Sequence, residues 1–125
     1  MVGVGVTPLS KLLEAIHEFQ ARDERRVDSK GLRAGIDALE MEFACEVREV
    51  QRSGDHLVDG NISAAAWVSR TCGMSVPSAA DRLCVGEQLE SLPMVADALS
   101  RGEIGYQSAS VICHLRDKLD RKSVV

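Results

Sequence analysis

The three histidines, His17, His56 and His114, are the side chains of this sequence best suited to acid–base or metal chemistry. A metal-dependent nuclease of the His-Asn-His type needs at least two histidines and an Asn or Asp that together hold one metal ion and activate water. Here the histidines are far apart, none has a His-x-x-x-His or Cys-x-x-Cys spacing, and Asn61 is the only asparagine. The sequence therefore predicts no nuclease centre.

Two smaller groups of titratable residues could also do chemistry, and both have a simpler structural interpretation. His56 with Asp55 and Asp59 has the residue types of a divalent-metal site, but a polar loop between helices contains the same residues. Cys113 and His114 could act as nucleophile and base, yet neighbours on a helix point about 100° apart and are poorly placed to share a proton. Structural roles are favoured for both groups.

Clusters of acidic residues, cysteines and glycines give no stronger indication of a site. Glu40, Glu42, Glu46 and Glu49 lack the Glu-x-x-His partners of di-iron bundles. The last three are expected to form a solvated helix face. Cysteines without Cys-x-x-Cys spacing are expected to be reduced thiols in the core, and there are four of them: Cys45, Cys72, Cys84 and Cys113. We therefore predict no catalytic residue, no metal site and no cofactor.

The segment 61–115 contains the one pattern that indicates binding. Ser63 can cap a helix that Gly73 ends. Ser75 can cap a second helix, about 76–89, after a turn of about three residues, and a turn this short is typical of a helix-turn-helix. In that interpretation the second helix enters the major groove of DNA. The candidate DNA-binding residues are then Arg70, Ser75, Ser78 and Arg82.

The charge distribution leaves two functions open. The net charge of −4 belongs to residues 1–60, which carry 8 basic and 12 acidic side chains, whereas residues 61–125 carry 7 of each. A neutral surface binds double-stranded DNA weakly unless its arginines gather on one side. If they are scattered, the same helices are expected to form a scaffold or protein-interaction module that binds no nucleic acid.

The segment 64–115 also resembles a known family. The resemblance lies in an alanine-rich helix followed by Cys72-Gly73-Met74-Ser75, Leu92-Pro93, Gly102-Glu103-Ile104 and Gln107-Ser108-Ala109. With these motifs the chain is similar to the 13E12 repeat family of actinobacteria, whose shared region is catalogued as domain of unknown function 222. In that family the region commonly precedes a C-terminal HNH endonuclease domain, often in mobile elements. The resemblance therefore implies a non-catalytic domain here, because the nuclease residues are absent from this sequence.

A second similarity concerns the order of helices and turns. It is similar to the DNA-binding core of ParB-like partition proteins, in which the helix after a Gly-x-Ser turn reads DNA. Carried onto this chain, the similarity implies Ser75, Ser78 and Arg82 as DNA contacts. Where the partition proteins have Gly-His-Ala, this chain has Gln107-Ser108-Ala109.

The elements that must position these residues are all helical. Hydrophobic residues make up 45% and aromatic residues 3% of the chain, and the apolar patterns have helical periods, so we predict an all-α fold. Residues 1–60 are expected to form an N-terminal hairpin of a helix beginning at Thr7-Pro8 and a long helix over 29–52, with Ser29 as its cap. Residues 61–125 are expected to form a bundle of about four short helices that contains the helix-turn-helix-like pair.

The long helix over 29–52 needs a partner along its whole apolar seam. The first helix can cover only part of it, so the rest is expected to meet the bundle or a second copy, which leaves a homodimer and an intramolecular hairpin as alternatives. Gly31 and Gly35 are expected to permit a close helix crossing. Because no secretory signal or membrane-spanning segment is recognisable, we expect a cytoplasmic protein without a membrane partner.

Overall fold

The structure, a computed structural model, describes residues 5–26, 28–58, 60 and 63–123, without the side chain of Ser123. These residues form seven helices and no strand, which confirms the predicted all-α class. None of the described helices combines the length and apolar character needed to cross a lipid bilayer. The helices are α1 (Pro8–Gln20), α2 (Ser29–Ser53), α3 (Asp55–Val58), α4 (Ala64–Cys72), α5 (Val76–Leu89), α6 (Pro93–Ser100) and α7 (Tyr106–Ser123).

The ends of α4 and α5 follow from side-chain capping. The Ser63 hydroxyl oxygen accepts a hydrogen bond from the third residue of α4 at 3.1 Å, and that of Ser75 accepts one from the N–H of Ser78 at 3.2 Å. Gly73 ends α4 with a φ of 67°, a left-handed conformation that favours glycine. The predicted boundaries of this pair are confirmed.

The first two helices begin as capped elements as well, with one correction. Thr7 caps α1 with Pro8 in its first turn, as predicted. Asp28, rather than Ser29, caps α2, because the Asp28 carboxylate accepts a hydrogen bond from the N–H of Gly31 at 2.8 Å. The segment expected to be a polar link after α2 contains the short helix α3.

Helix α5 lies at the centre of the molecule and packs against α2, α4, α6 and α7. Its closest approach is to α2, where a Cβ atom added to Gly86 would lie 2.3 Å from the carbonyl oxygen of Ala44. The close crossing predicted at Gly31 and Gly35 is wrong. A Cβ at Gly35 would meet open space, and one at Gly31 would meet only the capping Asp28 side chain, because α2 crosses α5 further along.

The core is built from small and branched aliphatic side chains in two clusters. One cluster joins α2, α5, α6 and α7 around Leu99 and Cys113, and the other joins α2, α4 and α5 around Val47 and Val68. The prediction that the cysteines are core thiols holds for Cys113 and is wrong for two others. Cys84 is half-buried, whereas the side chains exposed to solvent are Cys45 and Cys72, and all four thiols are free.

Helix α1 is set apart from this bundle. No Cα atom of α1 lies within 8 Å of a Cα atom in another described helix, and α1 has no buried residue. The long helix α2 instead packs chiefly along α5. The second half of the apolar seam of α2 is therefore covered by a helix from the C-terminal half of the chain, whereas Leu32, Ile36 and Leu39 in its first half stay exposed.

Candidate functional site

Arg82, the central residue of the predicted DNA-reading helix, is bound within the protein. Its Nη2 and Nε atoms donate to the two carboxylate oxygens of Glu40 on α2, at 2.6 and 3.2 Å. The guanidinium carbon lies 5.1 Å from the centroid of the Tyr106 ring, and 19% of the side chain is exposed. A bidentate pair of this kind fixes both side chains, so Arg82 ties α5 to α2.

The other predicted DNA-binding residues lie around the turn between α4 and α5. The hydroxyl oxygen of Ser75 is exposed but acts as the helix cap, and Ser78 is half-buried on the first turn of α5. Arg70 is exposed in the last turn of α4 and forms no ion pair within the described part of the chain. Of the four predicted residues, the structure leaves Arg70 with a free charge.

Most other cations of the C-terminal half are also neutralised by neighbours. Arg101 binds Glu103 at 3.0 Å and also contacts Asp97, and Arg116 and Arg121 each bind an aspartate four residues away on the helix. Within residues 63–123, the cations that form no ion pair are Arg70, Lys118 and Lys122. The arginines are thus distributed as internal and surface pairs rather than as one basic face.

Asp81 is the centre of a polar cluster that the sequence did not predict. It precedes Arg82 on α5, and its carboxylate accepts hydrogen bonds from Tyr106 Oη at 2.9 Å and Ser110 Oγ at 2.6 Å. Its third partner is His114 Nε2, 2.7 Å away. The three partners lie on one face of α7 because they are four residues apart. That spacing was the available signal in the sequence, although nothing local pointed to the acid they share.

These contacts set the protonation states of the cluster. Burial by itself raises the pKa of Asp81, but the hydrogen bonds from Ser110, His114 and Tyr106 outweigh it and hold that pKa below its ordinary value. Burial, and then the hydrogen bond to Asp81, raises the pKa of the Tyr106 phenol. The cluster therefore holds an ionised carboxylate with a neutral phenol.

The arrangement in this cluster differs from that of a nucleophilic triad. In a triad the serine hydroxyl is hydrogen-bonded to the histidine, which removes its proton. Here Ser110 donates to Asp81, and His114 binds the same carboxylate oxygen. Both side chains are therefore hydrogen-bonded to the Asp81 carboxylate rather than to each other, and the cluster connects α5 to α7.

No group of three or more His, Cys, Asp or Glu side chains that could hold a metal ion occurs in the described residues. His56 is buried in α3, and its Nδ1 has no hydrogen-bond partner among the described residues. Asp59, the third member of the loop cluster considered from sequence, lies outside the described residues.

An apolar groove lies between α1 and the first half of α2 and has a volume of about 730 Å³. We call it the α1–α2 groove. Arg22 and Arg25 lie at its rim, with the Arg22 guanidinium 3.8 Å from the centroid of a groove phenylalanine. Its large apolar side chains are between 36% and 45% exposed: Ile16, Phe19, Leu32, Ile36 and Leu39.

The apolar face of α1 continues beyond the groove. Leu9 and Leu13 belong to the same helix face as Ile16, but they do not line the groove and are 62% and 49% exposed. Contiguous exposed apolar surface of this kind marks sites at which proteins bind partners. The sequence predicted that the first helix covers part of the α2 seam, but it could not show that the two helices stay more than 8 Å apart at their Cα atoms.

Comparison with known proteins gives one match. The model of the family described as "Domain of unknown function (DUF222)" matches residues 23–125, which include α2 to α7 and exclude α1. No curated protein and no solved structure matches the chain significantly.

Proposed function

The chain belongs to the DUF222 family, whose domain has no assigned function, and we propose that it is a non-catalytic helical module that binds another protein. The α1–α2 groove is the binding surface in this proposal. The bundle centred on α5 is the scaffold that holds α2 in place.

The observation that carries this proposal is the uncovered apolar face of α1. An isolated helix of 13 residues is marginal in water, and most helices in proteins are stabilised by packing of their apolar face. Helix α1 has such a face, yet it approaches no other described helix closely. A partner that fills the groove would supply the missing packing.

DNA binding through α5, the function that the sequence predicted first, is the weaker proposal. A side chain that reads a base edge must be free to extend away from the protein surface. The Arg82 guanidinium is instead hydrogen-bonded to Glu40 on α2. An α-helix must also fit into the major groove, whereas α5 packs against four helices and its exposed residues are Val76, Pro77 and Ala80. The association with an HNH nuclease, implied by the sequence resemblance, remains a proposal about the wider context of this domain.

The proposed function is tested by asking whether the groove residues are needed for folding. Ile36→Ser should lower the free energy of unfolding by no more than about 1 kcal/mol, because 41% of the side chain is exposed and the two residues have similar helix propensities. The matched core variant, Leu99→Ala, should cost about 2 to 5 kcal/mol. Urea unfolding is measured at a concentration at which light scattering gives the mass of one chain, 13.5 kDa.

The contrary result is equally clear. If Ile36→Ser costs as much as Leu99→Ala in the single chain, the groove is closed by its own helices in solution. The surface proposed for a partner would then be part of the core, and the proposed function would be lost.

A further inference from the structure

We propose that the partner in the α1–α2 groove is a second copy of this chain, with α1 of each copy lying in the groove of the other. This inference rests on the proposed function of the groove as a binding surface. It adds the identity of the occupant and the way in which the two copies engage.

The shape of the groove favours an occupant with two apolar faces. One wall is the C-terminal end of α1, from Ile16 to Gln20, and the other is the first half of α2, so a partner must cover both helices at once. A second copy presents the same two helices at the same divergence. Two such pairs form a four-helix arrangement about a two-fold axis, in which the same surface of each copy is used.

The reach of α1 also favours exchange between copies. Its 13 residues span about 20 Å, whereas the groove wall from Ser29 to Leu39 spans about 16 Å. A second α1 is therefore long enough to follow the whole wall. Leu9 and Leu13, which their own α2 does not cover, would then be packed by the second copy.

The charges of α1 and of the groove are compatible with this pairing. Helix α1 carries Lys11 with Glu14 and Glu18, a balance of −1, and the charged residues that line the groove, Arg22, Arg25 and Asp28, have a balance of +1. Neither glutamate forms an ion pair within the described residues, so both are available to the partner. Opposite signs on facing surfaces avoid the repulsion that like charges would cause.

A second exposed apolar stripe provides a matched control for the experiment. Val111 and Leu115 on α7 are 68% and 57% exposed, but they project from a helix that already packs against α5. They do not face another helix across a groove in the described structure. Polar substitution there should leave the proposed dimer intact.

The test is light scattering after size-exclusion chromatography of the full chain at roughly 1 to 100 µM, a range suited to interfaces of ordinary size. The expected mass is twice 13.5 kDa. Leu13→Asp should give the mass of one chain at the same concentrations. The dissociation constant of the dimer should rise at least about tenfold, because a charge is placed in an apolar interface. Val111→Asp should remain a dimer.

A second variant guards against a local effect on α1. Ile36→Asp lies on the opposite wall of the groove and should dissociate the dimer in the same way, with the helical circular dichroism of both variants preserved. A single-chain mass for the unaltered protein throughout the range would overturn the inference. So would dissociation by Val111→Asp but not by Leu13→Asp.

The failure of this inference is distinguishable from that of the proposed function. If the unaltered protein is monomeric and Ile36→Ser lowers its stability only slightly, the groove is free for a different protein and only the second copy is excluded. If Ile36→Ser also costs as much as a core substitution, both proposals fail.

Discussion

The two halves of α2 share one apolar spacing and have different surroundings. In the second half Val47 is 1% exposed, within the cluster formed with α4 and α5. In the first half Ile36 is 41% exposed. On the other side of the same turns, Ala34 and Asp37 lie beside the α6–α7 turn, where a Cβ atom added to Gly102 would be 3.4 Å from the Ala34 Cβ atom. One uninterrupted helix thus passes from a close-packed environment to an open one.

Apolar periodicity therefore predicts which face of a helix must be buried, but it does not predict which element packs against that face. In the bundle, backbones approach so closely that Gly86 has no space for a Cβ atom against Ala44. At the groove, α1 and α2 do not come within 8 Å at their Cα atoms.

A methyl group at the tightest point of the bundle should have the largest effect. Gly86→Ala should cost about 3 kcal/mol in the free energy of unfolding, because the atoms in the way are backbone atoms of α2 and cannot rotate aside. The control Gly35→Ala, at an open position in the first half of α2, should stabilise the protein by about 0.5 to 1 kcal/mol through helix propensity. Urea unfolding of both variants measures the contrast. Equal effects would mean that the two halves of α2 do not differ in packing.

The polar cluster between α5 and α7 should show a smaller loss. Asp81→Asn removes the charge that accepts three hydrogen bonds and should cost about 2 kcal/mol near neutral pH. Asp97→Asn, which removes an exposed acid from α6, should change stability little. Chemical unfolding compares the two. A neutral Asp81→Asn variant would show that the cluster does not hold the bundle together.

The pH dependence of this loss follows from the lowered pKa of Asp81. A carboxyl group whose pKa is lower in the folded protein stabilises it above the unfolded value, here the ordinary 3.8, and this contribution is lost as the pH falls through the folded pKa. The stability difference between the unaltered protein and Asp81→Asn should therefore be constant near neutral pH. It should shrink when unfolding is measured below pH 3.8.

The smallest expected signal is DNA binding by the bundle. With most arginines in ion pairs, binding to duplex DNA at physiological salt should be no tighter than the non-specific range of about 10⁻⁴ to 10⁻⁶ M. Fluorescence anisotropy over a series of salt concentrations measures it. Tight binding that weakens steeply with salt and is reduced by Arg70→Ala would reinstate the helix-turn-helix hypothesis.

Arg82→Ala should lower the free energy of unfolding because it leaves Glu40 without its partner.

The helix ends were predictable because their causes are local. Ser63, Gly73 and Ser75 act through hydrogen bonds and dihedral angles within a few residues, and a sequence window contains all of those partners. The same holds for Thr7 and Pro8 at α1. Even the wrong cap at Ser29 missed by a single residue, since Asp28 has the same capping chemistry.

The residues of the sites were less predictable because their partners are distant in sequence. Arg82 pairs with Glu40, which is 42 residues away, and Asp81 accepts from side chains 25 to 33 residues away. Neither pairing has a local signature, so Arg82 was expected to be a surface contact. The divergence of α1 from α2 depends on how α2 is held by α5, and no periodicity reports such an angle.

Helix α2 is fixed against α5 near its middle, where Gly86 meets the backbone of Ala44. Ile36 lies eight residues before Ala44, about 12 Å along the helix axis, so a small change in the angle at this crossing would displace Ile36 and change the width of the α1–α2 groove. The width of the α1–α2 groove, the proposed binding surface, thus depends on how α2 packs inside the bundle. Substitutions at Gly86 or Ala44 would therefore alter the proposed binding surface without changing any residue that lines it.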